Sequence, residues 1–404
     1  MRSVLAVLAA ALGACGDGSG AATEPPRPDV VTRDAASSDA FTLVDRAPVL
    51  DDAAAPDVVS APDVVNAPDV VSAPDVVSDA SAPDVVSDAS APDASTGCPP
   101  PPACNAAPPS FGATASWRNL TTRVTVALGS ARHRGRDLFL REGDAQWAIA
   151  KFAYGVNDDD LNDEDVDVYL LRDCARWELL GAARTSRDAA PHASVEGVPD
   201  GGGQVYFEVP AARRLGLGWH KILFVVRGDH TLAEQWINVI PAGARVVVSD
   251  VDGTLTEFEN AALLALLTGP PPAANAGGAE MLNALVDRGY QVFYLTARPE
   301  WLEPATHQWL QLRGFPRGVV HTTLGLTGAT GAPALSFKTA ELAALRARLG
   351  RAPDYGFGNT DSDVGAYAAA MVANPYFYRF AGTTRVDDYT TLAPRFRALA
   401  PVCR

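Results

Sequence analysis

The chain has 404 residues, enough for two domains and additional segments. Its formal net charge is −15, but residues 1–97 hold 16 of the 48 acidic and four of the 33 basic residues, so that segment carries −12 and the remainder −3. A nearly neutral body gives no acidic binding face and excludes a nucleic-acid partner argued from bulk charge.

The first residues have the pattern of an export signal: Arg2, an apolar run from Val4 to Leu12, then Leu12-Gly13-Ala14-Cys15. The run is too short to span a bilayer. The four-residue string resembles a bacterial lipobox, which implies a signal peptide over 1–15, lipidation of Cys15 and, with Gly16 rather than Asp next, an outer-membrane location. An ordinary signal peptide with an incidental cysteine is the other reading.

Residues 16–110 are expected to form a disordered linker. Copies of Ala-Pro-Asp-Val-Val-Ser/Asn begin at Ala55, Ala61, Ala67, Ala73 and Ala82, with a truncated copy at Ala91. A proline in every copy blocks ladder hydrogen bonds, and the acidic charge opposes collapse. Flexible-coil scaling over about 82 residues gives a reach of roughly 50 Å, suited to holding a body off a membrane. Beyond Cys15 four cysteines remain, Cys98, Cys104, Cys174 and Cys403. In an exported chain an even number points to disulfides in one of three connectivities, with unpaired buried thiols as the alternative.

Residues 111–241 are expected to be all-β. Strands are predicted at 121–128, 146–153, 167–172, 177–183, 204–209, 220–226 and 234–240, separated by turn signals such as Asp200-Gly201-Gly202-Gly203 and Gly228-Asp229. About seven short strands in this length suit an immunoglobulin-like β-sandwich. The loop from Asn157 to Asp165 holds six acids in nine residues. It offers oxygen ligands for calcium without EF-hand spacing; a solvated acidic loop is the other reading.

From residue 242 to 404 the pattern alternates strand and helix, the signature of a parallel sheet covered on both faces. Strands are predicted at 245–249, 291–295, 319–321, 355–357 and 376–380, and helices at 279–288, 300–313, 339–349 and 362–371. The apolar run Val246-Val247-Val248-Ser249 leads into Asp250-Val251-Asp252-Gly253-Thr254. Carboxylates at i and i+2 leaving a buried strand point to the same side, at the sheet edge where ligands bind in such folds. Thr296 leaves the next strand with a hydroxyl able to donate to a phosphoryl oxygen. Lys338, expected to open a helix, supplies a cation. Asn359 and Asp363, in Gly358-Asn359-Thr360-Asp361-Ser362-Asp363, leave a third strand with direct or water-mediated metal contacts. Each residue alone has a bland role, such as a surface lysine or a helix cap. Their order at successive strand ends points to phosphoryl transfer with one bound cation.

This ordered set resembles the haloacid dehalogenase superfamily. Asp250 to Thr256, Phe337-Lys338, Phe357-Gly358-Asn359, Asp363-Val364 and Ala366-Tyr367 are similar to the catalytic domain of lipins, magnesium-dependent phosphatidate phosphatases. Thr296-Ala297-Arg298-Pro299 and Gly314 to Val320 look more like the domain ending retinal-degeneration-B-type phosphatidylinositol transfer proteins. Together these form the LNS2 (lipin/Ned1/Smp2) family. The resemblance implies a Rossmannoid α/β domain, Mg²⁺ as cofactor, Asp250 as nucleophile and metal ligand, and Asp252 as general acid/base offering its carbonyl to the metal. It further implies that Thr296 and Lys338 grip the phosphoryl group and that Asp363 and Asn359 serve the metal. Gly253, Thr254 and Arg298 become expected substrate contacts, Arg298 at a headgroup or, on the bland reading, paired with a nearby Glu. Asp361 has no acidic counterpart in lipins and is expected outside the direct ligand set. The transfer-protein branch typically lacks the nucleophilic aspartate; its presence here favours an enzyme.

About forty residues separate Thr254 from Leu295 and 39 separate Arg298 from Lys338, which leaves no room for a cap domain. An open site must use its substrate to exclude water, which fits a membrane headgroup such as phosphatidate. The expected function is therefore a magnesium-dependent phosphatase acting on phosphatidate or another phospholipid monoester. The alternatives are a phospholipid-binding module without turnover and a broad surface phosphomonoesterase.

Overall fold

The first described strand pair brackets a charged segment. In this computed structural model, which describes residues 97–259, 271–381 and 384–403, β1 (Arg134–Gly135) and β2 (Leu138–Arg141) flank Arg136 and Asp137. The expected export signal and the acidic repeats lie outside the described residues. The strands that follow are β3 (Trp147–Lys151), β4 (Ala153–Tyr154), β5 (Asp159–Asp160), β6 (Asp165–Arg172), β7 (Arg176–Arg184), β8 (Gln204–Glu208), β9 (Gly218–Val226) and β10 (Leu232–Ile240). They make a β-sandwich. One sheet has the order β1-β3-β8 and the other β2-β10-β9-β6-β7, while β4 and β5 pair alone. All neighbours are antiparallel except β2, which runs parallel to β10. Strand alternation builds the core: in β6, Val166, Val168 and Leu170 point inward between the half-buried Asp165, Asp167 and Tyr169. They meet Leu140, Ile149, Phe152, Val205, Phe224 and Ile237 from both sheets.

One sandwich expectation is corrected. Residues 121–128, predicted as a strand, contain the helix α1 (Thr122–Ala127). Its entry is set by Glu164, whose carboxylate accepts from the Arg118 N–H (2.9 Å), the Asn119 N–H (3.1 Å) and the Thr122 hydroxyl (2.5 Å). A buried anion at a helix start outweighs the β propensity of Thr and Val. In the acidic loop several acids have basic partners. Asp158 pairs with Arg134 at 2.6 Å, Asp160 with Lys151, Asp163 with Arg187 and Asp165 with Arg184. Basic side chains already answer these acids one by one.

The α/β region contains β11 (Val246–Ser249), α2 (Gly278–Val286), β12 (Gln291–Leu295), α3 (Glu303–Leu312), β13 (Gly318–His321), α4 (Gly331–Leu349), β14 (Tyr355–Gly358), α5 (Asp361–Ala370), β15 (Asn374–Tyr378), β16 (Arg385–Val386) and α6 (Leu392–Arg397). Its six-stranded sheet is wholly parallel, in the order β13-β12-β11-β14-β15-β16. The strand β11 lies between β12 and β14, so the chain order reverses beside it, where α/β sheets open a ligand crevice. One face is covered by Met281, Leu285, Trp309, Leu310 and Phe396 from α2, α3 and α6. On the other face Leu342, Leu345, Ala366 and Tyr367 from α4 and α5 join Val248 and Phe293 of the sheet and Phe139, Leu171 and Trp219 of the sandwich in one apolar cluster. The described residues accordingly belong to a single compact unit.

The helix α4 begins at Gly331, eight residues before the predicted start. Pro333 falls in its first turn, where a missing N–H is tolerated. Lys338 thus sits inside the helix, on the stripe formed by Ala334, Leu342, Leu345 and Leu349. The four cysteines pair as Cys98–Cys403 and Cys104–Cys174. Both bridges close long loops, with sequence separations of 70 for Cys104–Cys174 and 305 for Cys98–Cys403, which the chain-entropy account values at about 4 and roughly 5–6 kcal/mol.

Candidate active site

Asp250 is the first residue past β11, and its N–H still bonds the Phe357 carbonyl of β14 at 2.8 Å. The turn that follows is tightly specified. Gly253 has φ 71°, and a Cβ there would stand 2.2 Å from Asn359 Nδ2, so only glycine fits. The Gly253 N–H donates to Thr256 Oγ1 (2.9 Å). Asn275 clamps the same turn by donating to the carbonyls of Thr254 (2.9 Å) and Thr256 (2.8 Å). Sequence reasoning missed Asn275, which lies far from any motif and acts only through the backbone.

Two of the carboxylates meet on one ammonium. Lys338 Nζ donates to Asp250 Oδ1 and to Asp363 Oδ1, both at 2.7 Å. All three residues are buried, with Asp363 at 0% exposure. The remaining oxygens are also engaged. Asp250 Oδ2 lies 3.1 Å from the Thr254 hydroxyl. Asp363 Oδ2 accepts the Asn359 N–H (3.0 Å), the Thr360 N–H (3.1 Å) and the Thr360 hydroxyl (2.8 Å) within a capping box at the start of α5. Gly358 makes this possible, because a Cβ there would meet Asp363 Cβ at 2.4 Å.

Burial pushes the Asp250 carboxyl up to about 8, with Asp363 and Asp252 adding to the rise and Lys338 opposing it. For Lys338, burial alone would lower the pKa, but Asp250 and Asp363 outweigh it and hold the ammonium firmly charged. Such a shifted carboxylate beside a fixed cation is the environment expected of a working group rather than a surface ion pair.

Asp252 is partly open, as a group meeting substrate must be, but its two oxygens are held by Arg298 through Nε (2.7 Å) and Nη2 (2.9 Å). Thr296, fully buried at the end of β12, also donates to Asp252 Oδ2 at 3.2 Å. Arg298 is itself buried, and its Nη1 donates to the Thr306 hydroxyl at 2.9 Å. Its donors face Asp252 and Thr306, so its ion-pair partner is an aspartate and not a Glu. Asn359 is held at the same turn: its Oδ1 accepts the Thr254 hydroxyl at 2.7 Å and its Nδ2 donates to Glu259. Asp361 is exposed at the first position of α5, outside the cluster.

The donor set suits magnesium. Asp250 and Asp363 present carboxylate oxygens to one cationic point, and hard oxygen donors are what Mg²⁺ takes. Lys338 and Arg298 are the fixed cations beside these aspartates.

Residues 247–380 match the family model for the LNS2 domain of PITM 1-3, and residues 131–239 match the model for the β-sandwich domain of PITM 1-3. The chain is 31% identical over 214 residues to membrane-associated phosphatidylinositol transfer protein 1 of Rattus norvegicus, covering 52% of this chain and 16% of that protein. It is 29% identical over 265 residues to membrane-associated phosphatidylinositol transfer protein 2 of Homo sapiens, covering 65% of this chain and 18% of that protein. The chain thus spans less than a fifth of the length of these relatives. Among solved structures, a β-phosphoglucomutase-like protein from Thermotoga maritima aligns with 14% identity over 38% of this chain and 100% of its own, at a TM-score of 0.27, too low to carry an argument. What the chain carries is a β-sandwich followed by a parallel α/β domain, matching in that order the β-sandwich and LNS2 domains of the PITM 1-3 proteins.

Proposed function

We propose that this chain is a magnesium-dependent phosphatase of the haloacid dehalogenase type, acting through an aspartyl phosphate on phosphatidate or another phospholipid monoester. The observation that carries the proposal is the meeting of Asp250 and Asp363 on the Lys338 ammonium, with Asp252 and Thr296 at the neighbouring strand end. In the first step an oxygen of Asp250 attacks phosphorus and the bond to the leaving oxygen breaks, with Asp252 delivering its proton to that oxygen. In the second, Asp252 takes a proton from water, which attacks the same phosphorus and releases Asp250 and inorganic phosphate. Lys338 and Thr296 stabilise the phosphoryl oxygens throughout. Arg298 holds the Asp252 carboxylate in place between proton transfers. Asp250, Asp363 and the Asp252 carbonyl would hold Mg²⁺, which when bound offsets the charge that builds on the phosphoryl group.

An open site served by its own lipid substrate, and a lipid anchor at Cys15 in the outer membrane, complete this reading. The second reading is a phospholipid-binding module without turnover. Two observations favour it: Arg298 grips both oxygens of the group that must carry a proton, and the relatives are named as phosphatidylinositol transfer proteins. Phosphate release from phosphatidate vesicles and from a soluble monoester, with and without Mg²⁺, separates the possibilities. The phosphatase reading expects Mg²⁺-dependent release from phosphatidate that Asp250→Asn lowers on the order of 10⁴-fold. Vesicle binding without release selects the binding module, and faster turnover of the soluble monoester selects a broad phosphomonoesterase.

A further inference from the structure

A second buried charge cluster lies where the sandwich meets the α/β sheet, away from the aspartates just described. Asp137, between β1 and β2, is 0% exposed. Its Oδ1 accepts the Trp236 N–H at 2.7 Å and its Oδ2 accepts the Val320 N–H at 3.0 Å, so it is fixed by backbone from both domains. Glu303 and His307 stand at i and i+4 on α3 and share one face of it. His307 Nε2 lies 2.9 Å from Asp137 Oδ2 and 2.9 Å from Glu303 Oε1. The three ligand atoms all lie within 4.8 Å of one another, the single such group of His, Cys, Asp or Glu among the described residues.

Both contacts are at ion-pair distance, yet Glu303 Oε1 and His307 Nε2 are buried and neither makes a hydrogen bond of good geometry. Glu303 is 4% exposed, so its oxygen has no water to turn to. Leaving such atoms unsatisfied costs about 1–3 kcal/mol each, and more for a charged one. Nearby guanidinium groups do not answer the charge: Arg134 pairs with Asp158 and Glu300, and Arg136 with Glu341. Two buried carboxylates therefore share one imidazole, and the cluster carries −2 with neutral His307 and −1 with the imidazolium.

We propose that Asp137, Glu303 and His307 bind a divalent transition-metal ion of the zinc type, which ties the sandwich to the α/β domain. One imidazole nitrogen and two carboxylate oxygens form a donor set that suits zinc and its first-row neighbours and is less typical of calcium or magnesium. The ion would give both orphaned atoms a partner and cancel the excess negative charge. Because one ligand belongs to the sandwich and two belong to α3, binding couples to the packing of the two domains and raises the melting temperature.

The test uses the untagged full-length chain, stripped with chelator and titrated with Zn²⁺ in excess Mg²⁺. The expected result is one tight equivalent and a raised Tm in the wild type and in Asp250→Asn alike. His307→Gln and Glu303→Gln should weaken that binding by at least roughly a hundredfold and abolish the Tm shift. Co²⁺ loading of the wild type should give the visible bands of a nitrogen- and oxygen-ligated ion, a readout that needs no variant to fold. The proposal is overturned if the stripped chain takes up no Zn²⁺, if uptake disappears in Asp250→Asn, or if it persists undiminished in both cluster variants. Bound Co²⁺ without nitrogen ligation also overturns it.

Discussion

Each of the two charge clusters sets two carboxylates against one nitrogen, and they solve different problems. At the sheet edge one ammonium lies 2.7 Å from each of two carboxylates, and the other oxygens of both are engaged by hydroxyl or N–H groups. At the interface one imidazole nitrogen lies 2.9 Å from each of two carboxylates, and two of the atoms have no partner. The first cluster fixes its two carboxylates through every oxygen. The second leaves two buried atoms without a well-directed partner. Packed charge alone does not identify a site; how each oxygen is held separates the two clusters.

The largest expected effect comes from removing the ammonium that balances the first cluster. Lys338→Met leaves Asp250 and Asp363 buried without a counter-charge and should destabilise the chelated protein by roughly 3–5 kcal/mol, read from the urea midpoint. A loss under about 1 kcal/mol would mean that the cluster is not balanced as described. Added Mg²⁺ should recover part of that loss.

The next effect belongs to a buried histidine outside both clusters. His133 contacts Thr231 Oγ1 and the Ala153 N–H, and burial pushes it down to about 4. A folded-state value below the unfolded one near 6.5 means that the unfolded chain binds the proton first. Stability linked to His133 is thus complete above pH 6.5 and is lost as pH falls toward 4, by about 3 kcal/mol in total. Urea midpoints across that window should slope less in His133→Asn than in the wild type; equal slopes would remove His133 from the account.

The smallest expected effect is at Arg298. If the guanidinium positions Asp252, Arg298→Lys keeps the charge, loses the fork and lowers kcat on the order of tenfold to a hundredfold with KM little changed. A raised KM with unaltered kcat would restore Arg298 to the substrate.

Much of the α/β domain was legible because its chemistry repeats at strand ends. Asp250 follows Ser249, Thr296 follows Leu295 and Asn359 follows Gly358, each the residue after a buried parallel strand. The role of Arg298 was not legible, since its fork onto Asp252 depends on an approach across 46 residues. The same holds for α1, where the Glu164 carboxylate, distant in sequence, overrides a β-branched pattern. The interface cluster was hidden for another reason: Asp137 is an ordinary charged residue in a short charged segment until β2 aligns beside β10 and Val320 donates to it. Contacts between domains have no periodicity, so nothing local announces them.

The most direct measurement is chemical trapping of the intermediate. The chain, mixed with phosphatidate vesicles and Mg²⁺ and quenched with acid, should carry an acid-stable, hydroxylamine-labile phosphate that mass spectrometry places on Asp250 and that is missing in Asp250→Asn. Phosphate release without a labelled Asp250, or turnover that survives Asp250→Asn, contradicts the account.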